Sequence, residues 1–336
     1  MSKIGVLGAG SWGTALALLL ESNGHDVTIW SIDKKEVEML QNKREHETKL
    51  PGIKLPDSMV VTNDIEIAIK DMAFCVLAVP SPFTRSTAKL MKPFVAENQV
   101  IVDVAKGIEE HSLMTLSQQI EEEIPRADVA VLSGPSHAEE VGRGLATSVV
   151  IGAHKRETAE MLRDAFMNER FRVYVNPDVL GIELGGSLKN VVALAAGIAD
   201  GLGCGDNAKA ALITRGVAEI TRLGIKMGGK AETFAGLTGI GDLIVTCSSV
   251  HSRNRKCGYL MGQGMTLEEA QQEVKMVVEG VYSAKAAKKL GETYNVNMPL
   301  VDEVNKVLFE NKGASEALAD LMGRAGITEH TELDWN

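Results

Sequence analysis

Three charged side chains stand where the surrounding sequence is apolar or rich in glycine: Lys106, Lys189 and Asp242. Lys189 and Asn190 open the alanine-rich run "KNVVALAAGIADG". A buried ammonium costs free energy unless it is compensated, and that cost lowers its pKa toward the range useful for proton exchange. Lys106 follows the strand-like "VIVDVA". Asp242 follows the glycines of "GLTGIG", with Thr246 four residues on and on the same helical face. Burial and a neighbouring Lys106 would lower the Lys189 pKa, whereas Asp242 would raise it, and the sequence leaves that balance open. A second group, Ser252, Arg253, Asn254, Arg255 and Lys256, concentrates donors. An arginine fork beside an asparagine suits a phosphate. Each residue also has a plainer role: Lys106 as a solvated loop lysine, Asp242 as a helix cap, 251–256 as a basic surface loop, and Lys189 snorkelling from a first helical turn.

The amino terminus carries a second kind of chemistry. "VLGAGSWG" places Gly8, Gly10 and Gly13 in G-x-G-x-x-G spacing, after a strand pattern and at the start of a helical one. That spacing gives a tight turn, close approach of a pyrophosphate to the backbone, and close helix–sheet packing. Asp33 ends the next strand pattern, "DVTIWSID", about 20 residues on, where a carboxylate can accept from a ribose 2′-hydroxyl. Lys34 and Lys35 could instead meet a 2′-phosphate, and Asp33 could simply cap a helix.

The elements that would hold these groups fall into two parts. "KIGVLG", "DVTIW", "MAFCVLAVP", "QVIVDVA" and "DVAVLSGP" read as buried strands alternating with helical segments, which predicts a parallel, doubly wound, Rossmann-type α/β sheet. "SVVIGA" and "FRVYVN" are expected as edge strands. Beyond Gly181, apolar periodicity of helical length dominates over 187–199, 208–223, 267–276, 280–294, 299–310 and 314–323. The expected division is a dinucleotide-binding domain over 1–180 and an α-helical substrate domain over 181–336.

The chain has 336 residues, 45% hydrophobic and 24% charged, with a net charge of −10. An acidic balance argues against nucleic acid or an anionic membrane as the main partner. Any anionic ligand must then be held by local cations and amides. Four cysteines without C-x-x-C spacing give no disulfide framework or zinc site, so no metal is expected and a reduced, cytoplasmic setting is. No apolar stretch is expected to be long enough to span a bilayer.

These stretches together carry a resemblance. "GAGSWGTALA", "KGIE", "LSGPSHAEEV", "FRVYVNPDVLGIELGGSLKN", "GDNAKAALITRG", "GLTGIGDLIVTC", "HSRN" and "VVEG" resemble bacterial NAD(P)-dependent glycerol-3-phosphate dehydrogenase over nearly the whole chain. The resemblance implies Lys189 as the catalytic lysine. Lys106, Gly134, Ser136, Asp242, Ser252, Arg253 and Asn254 correspond to substrate contacts. Ser11, Trp12, Ala138, Val277 and Glu279 correspond to contacts with NAD(P)H, beside the glycines, and Lys106 and Arg253 touch both ligands. It implies dihydroxyacetone phosphate and sn-glycerol 3-phosphate as ligands in phospholipid supply, no nucleic acid, no membrane insertion, and a homodimer as the assembly to test. Where the family carries His or Arg just before Asp33, this chain has Ile32, which leaves the cofactor ranking open. The rival enzyme is a 3-hydroxyacid dehydrogenase of the 6-phosphogluconate or hydroxyisobutyrate type, in which the lysine and asparagine stand farther apart. A non-catalytic dinucleotide sensor would need no convergence of Lys106, Lys189, Asp242 and Arg253.

Overall fold

The structure is a computed structural model that describes residues 1–326, 328 and 329. Its strands are β1 (Lys3–Leu7), β2 (Asp26–Trp30), β3 (Glu45–His46), β4 (Leu50–Lys54), β5 (Val60–Thr62), β6 (Phe74–Leu77), β7 (Val100–Asp103), β8 (Asp128–Ser133), β9 (Thr147–Ala153) and β10 (Phe171–Asn176). Eight of them form one sheet in the order β10-β9-β8-β7-β6-β1-β2-β5, while β3 and β4 form a separate antiparallel hairpin. The pairs from β5 through β8 run parallel, as near-continuous apolar runs such as "FCVL" and "VIVD" require when both faces are covered. Two expectations change at the other end. β9 turns back antiparallel on β8, and it is not an edge strand because β10 covers it.

Helices α1 (Ser11–Ser22), α2 (Lys34–Lys43), α3 (Thr84–Met91), α4 (Leu116–Glu123), α5 (Ala138–Gly142) and α6 (Arg156–Phe166) lie among the strands. From Val179 every named element is helical: α7 (Val179–Gly201), α8 (Gly205–Lys226), α9 (Ala231–Phe234), α10 (Asp242–Ser248), α11 (Arg253–Gly262), α12 (Leu267–Val274), α13 (Glu279–Thr293), α14 (Pro299–Phe309) and α15 (Ala314–Met322). Strand order reverses between β2-β1 and β6-β7, so a crevice opens at the carboxyl ends of β1 and β6.

α7 is the core of the helical part. It begins at Val179 rather than 187, so Lys189 lies in mid-helix and not in a first turn. It is also long and apolar enough to cross a bilayer, contrary to expectation, with a mean hydropathy of 1.4 over 18 residues, yet 94% of that window is buried inside the protein. The neighbours that bury it come very close. Gly197 and Gly201 on α7 meet Gly258 and Gly262 on α11, and a Cβ on Gly258 would lie 2.1 Å from the Leu194 carbonyl oxygen. Four glycines thus let two helices cross backbone to backbone.

Candidate active site

The glycine turn occupies the crevice. Gly8 has φ 117°, a region that favours glycine, and a Cβ there would meet the Ala78 carbonyl at 2.6 Å. A Cβ on Gly13 would lie 1.9 Å from Gly8 O, which is what close helix–sheet packing demands. Gly10, before α1, faces open space within 4 Å, leaving room for a phosphate to approach the helix start. Asp33 caps α2, accepting from Lys35 N at 2.9 Å, and it also lines the crevice.

The same crevice runs to the helical domain. Its cavity volume is about 840 Å³, toward the upper end of the ~300–1,000 Å³ of small-ligand pockets. Its walls include Gly8, Gly10, Ser11, Trp12, Asp33, Lys106, Ser136, Ala138, Lys189, Ser252, Arg253, Asn254, Val277 and Glu279 among the expected residues. Gly13, Gly134 and Asp242 stand behind those walls. Gly134 offers its carbonyl to Lys106 Nζ at 3.0 Å, and Ser136 Oγ donates to that oxygen, also at 3.0 Å.

Asp242 joins the two lysines. It is 1% exposed at the start of α10; one carboxylate oxygen accepts from Lys106 Nζ at 2.6 Å and the other from Lys189 Nζ. Lys189, 5% exposed, also donates to Thr246 Oγ1 at 2.6 Å, while that hydroxyl donates to the Asp242 carbonyl at 2.6 Å. Burial outweighs Asp242 here: the Lys189 pKa falls to about 8, pushed down first by desolvation and further by the Lys106 charge. Despite its own burial, the two ammonium groups hold the Asp242 pKa below the ordinary carboxylate value.

The "HSRNRK" segment is a helix start, not a surface loop. Ser252 caps α11, accepting from Arg255 N at 3.2 Å. Asn254 donates to Asn190 Oδ1 at 2.9 Å and accepts from Gly280 N at 2.8 Å, tying α7, α11 and the start of α13 together. Arg253 is exposed on the crevice wall. Glu279 accepts from Ser81 N at 3.1 Å and from the Ser81 hydroxyl, across the two domains. Burial raises its pKa, against those two hydrogen bonds.

Sequence reading missed other groups on these walls. His137 and His251 face each other with ring centroids 5.7 Å apart, and burial followed by the Lys189 charge lowers the His137 pKa. Their placement inside "SGPSHA" and directly before "SRN" was the available signal. Lys49 and Glu36 also line the crevice, from a stretch without clear periodicity.

A glycine turn of dinucleotide-binding spacing at the sheet crevice and a buried lysine opening onto the same crevice fit the class of a dinucleotide-dependent oxidoreductase with a helical C-terminal domain. Comparison with known proteins narrows that class. Models of the NAD-dependent glycerol-3-phosphate dehydrogenase N-terminus and C-terminus match residues 3–159 and 178–319. The glycerol-3-phosphate dehydrogenase (NAD(P)+) of Agathobacter rectalis is 67% identical over 335 residues, covering 100% of both chains. That of Moorella thermoacetica is 52% identical over 334 residues, 99% of each. A crystal structure of glycerol-3-phosphate dehydrogenase from Coxiella burnetii matches with a TM-score of 0.93 at 37% identity, over 96% of this chain and 99% of that one. The chain belongs to the NAD-dependent glycerol-3-phosphate dehydrogenase family.

Proposed function

We propose that the chain catalyses the reversible NAD(P)H-dependent reduction of dihydroxyacetone phosphate to sn-glycerol 3-phosphate. The observation that carries this reading is the Lys189 ammonium, held by Asp242 and Thr246 with a pKa of about 8 on the crevice that begins at the glycine turn. The open face of Gly10 fits a pyrophosphate, and Ser11, Trp12, Ala138, Val277 and Glu279 are the walls that would hold the rest of the cofactor. When bound, the nicotinamide supplies or accepts the hydride.

Everything else falls to this chain's side chains. In reduction Lys189 Nζ gives its proton to the oxygen of the substrate carbonyl, and in oxidation it takes that proton from the hydroxyl. Lys106 places a second positive charge beside the developing alkoxide. Asp242 positions both ammonium groups and acts through them, because its two oxygens are already taken. Arg253 supplies the planar donor fork for the substrate phosphate, with Ser252 and Ser136 beside it on the wall. Asn254 holds the backbone around that fork, having spent its amide oxygen on Gly280.

The reading extends to a division at residues 180 and 181, a cytoplasmic enzyme feeding phospholipid synthesis, and a homodimeric assembly. The test is dihydroxyacetone phosphate reduction by the purified chain with NADH and NADPH in parallel, against a 3-hydroxy acid as the rival substrate. Lys189→Ala should keep the fold and lose turnover by ~10²–10⁴-fold. Near-normal turnover in that variant would overturn the acid–base role.

A further inference from the structure

The adenosine end of the crevice holds an ion-paired cluster that the proposed reaction leaves unused. Ser31, Ile32, Asp33, Glu36 and Lys49 line it together, downstream of β2. Glu36, on α2, accepts from Ser31 Oγ, from His46 Nε2 at 2.8 Å and from Lys49 Nζ. His46 Nδ1 accepts from Lys49 N at 3.2 Å, so its proton sits on Nε2 and points at Glu36. The β3–β4 hairpin is thereby bolted to α2, with Lys49 fixed over the crevice.

The two partners differ in access. The Glu36 side chain is 11% exposed and its oxygens are shared among three donors, whereas that of Lys49 is 40% exposed. An ammonium has three N–H donors, and Glu36 takes one. The other cations between β2 and β5 do not reach the crevice wall. Lys34 and Lys35 lie outside it, Lys43 pairs with Glu47, Lys54 with Glu45, and Arg44 bonds the Pro56 and Met59 carbonyls. Ile32, 70% exposed, has nothing to donate. Asp33 offers an acceptor suited to a hydroxyl, and Lys49 offers the cation suited to a phosphate.

We propose that Lys49, anchored by Glu36 and His46, is the residue that distinguishes a 2′-phosphorylated adenosine from one with a free 2′-hydroxyl. This rests on the dinucleotide reading above and replaces the expectation that Lys34 or Lys35 would serve. The same loop then accepts either dinucleotide, with Asp33 and Lys49 reading the alternative substituents.

The test needs no turnover. Isothermal titration of the full chain with 2′,5′-ADP and with 5′-AMP reads the 2′ substituent directly, with melting temperatures as a control for folding. Lys49→Ala should weaken 2′,5′-ADP by at least ~10-fold, the loss expected for one charge-assisted contact, and change 5′-AMP less than ~2-fold. Lys49→Arg should restore most of the loss. Equal weakening of both nucleotides would make Lys49 a structural part of the hairpin and overturn the inference, as would no change in either. If neither nucleotide bound the wild-type chain, the cofactor reading would fall with it.

Discussion

At the scale of single residues, the site is a contest between burial and charge around one carboxylate. Two ammonium groups share Asp242, one on each carboxylate oxygen, so Lys189 has a like charge just across its counter-ion. Its pKa of about 8 sets the pH response. With Lys189 in the proposed acid–base role, reduction needs its protonated form, so the rate should hold at lower pH and fall as pH rises through about 8; oxidation needs the neutral form and should rise through the same value. Lys106→Met removes the like charge, leaves Asp242 wholly to Lys189, and should move both limbs to higher pH. Initial rates in both directions from pH 6 to 10 test this, and unmoved limbs in the variant would show that Lys106 does not tune Lys189. Arg253→Ala should act elsewhere, raising KM for dihydroxyacetone phosphate more than KM for NADH; an unchanged substrate KM would place the phosphate site away from α11. Lys189 was legible because an ammonium among alanines demands a partner. That Lys106 and Asp242 would flank it was also expected; that Asp242 gives one oxygen to each lysine was not, because the contact joins the loop after β7 to the start of α10, far apart in the chain.

At the scale of elements, periodicity revealed the helices that bury one face and missed those built on close approach. α13 and α14 begin and end within a residue or so of their apolar pattern. The first two turns of α7 fell outside the expected 187–199, because glycine disfavours helix in isolation and so masks the start of the pattern. Those glycines serve contacts instead: a Cβ on Gly185 would sit 2.8 Å from Thr238 O, and one on Gly186 would sit 2.8 Å from Ser133 Oγ. α10 was legible from the spacing of Asp242 and Thr246 on one helical face, whereas α11 was hidden because "RNRKCGYLMG" carries the site's polar groups rather than an apolar stripe. The β3–β4 hairpin and β5 were missed because short strands of mixed character, such as "LPGIK", carry no period. The α7–α11 crossing makes a sharp forecast. Gly258→Ala puts a methyl 2.1 Å from Leu194 O and 3.0 Å from Ile198 N, so the helices must separate. Overpacking of this kind costs ~1–3 kcal/mol, and it displaces the helix that begins with Arg253. A lower melting temperature and a raised KM for the phosphorylated substrate should appear together, while KM for NADH stays near wild type. A normal melting temperature would mean that the crossing relaxes freely.

At the scale of the whole molecule, an acidic protein with a net charge of −10 has buried several of its carboxyl groups. Asp103, Glu183, Glu219 and Glu279 all have pKa values raised by burial, and Glu183 and Glu279 each receive serine donors across the domain junction. Glu219 offers the clearest test because it lies away from the crevice. On α8 it accepts from Leu300 N at 2.9 Å and Val301 N at 3.3 Å, holding the start of α14, and burial moves its pKa from 4.5 to about 7. Arg222 favours its ionised form and Asp302 opposes it, but desolvation dominates. A folded-state pKa above the unfolded one gives stability that is complete below the unfolded value and is lost as pH rises through the folded one. Wild-type stability should therefore fall, for this group, between pH 4.5 and about 7 and then level off. Glu219→Gln keeps an acceptor for Leu300 N but cannot ionise; its lost second acceptor is a fixed offset at every pH. The melting temperature of the variant relative to wild type should thus climb from pH 5 to 7 and stay constant above about 7.5. A flat difference across that range would show that Glu219 ionises in the folded protein as readily as in water, and that the two backbone donors of α14 compensate its burial in full.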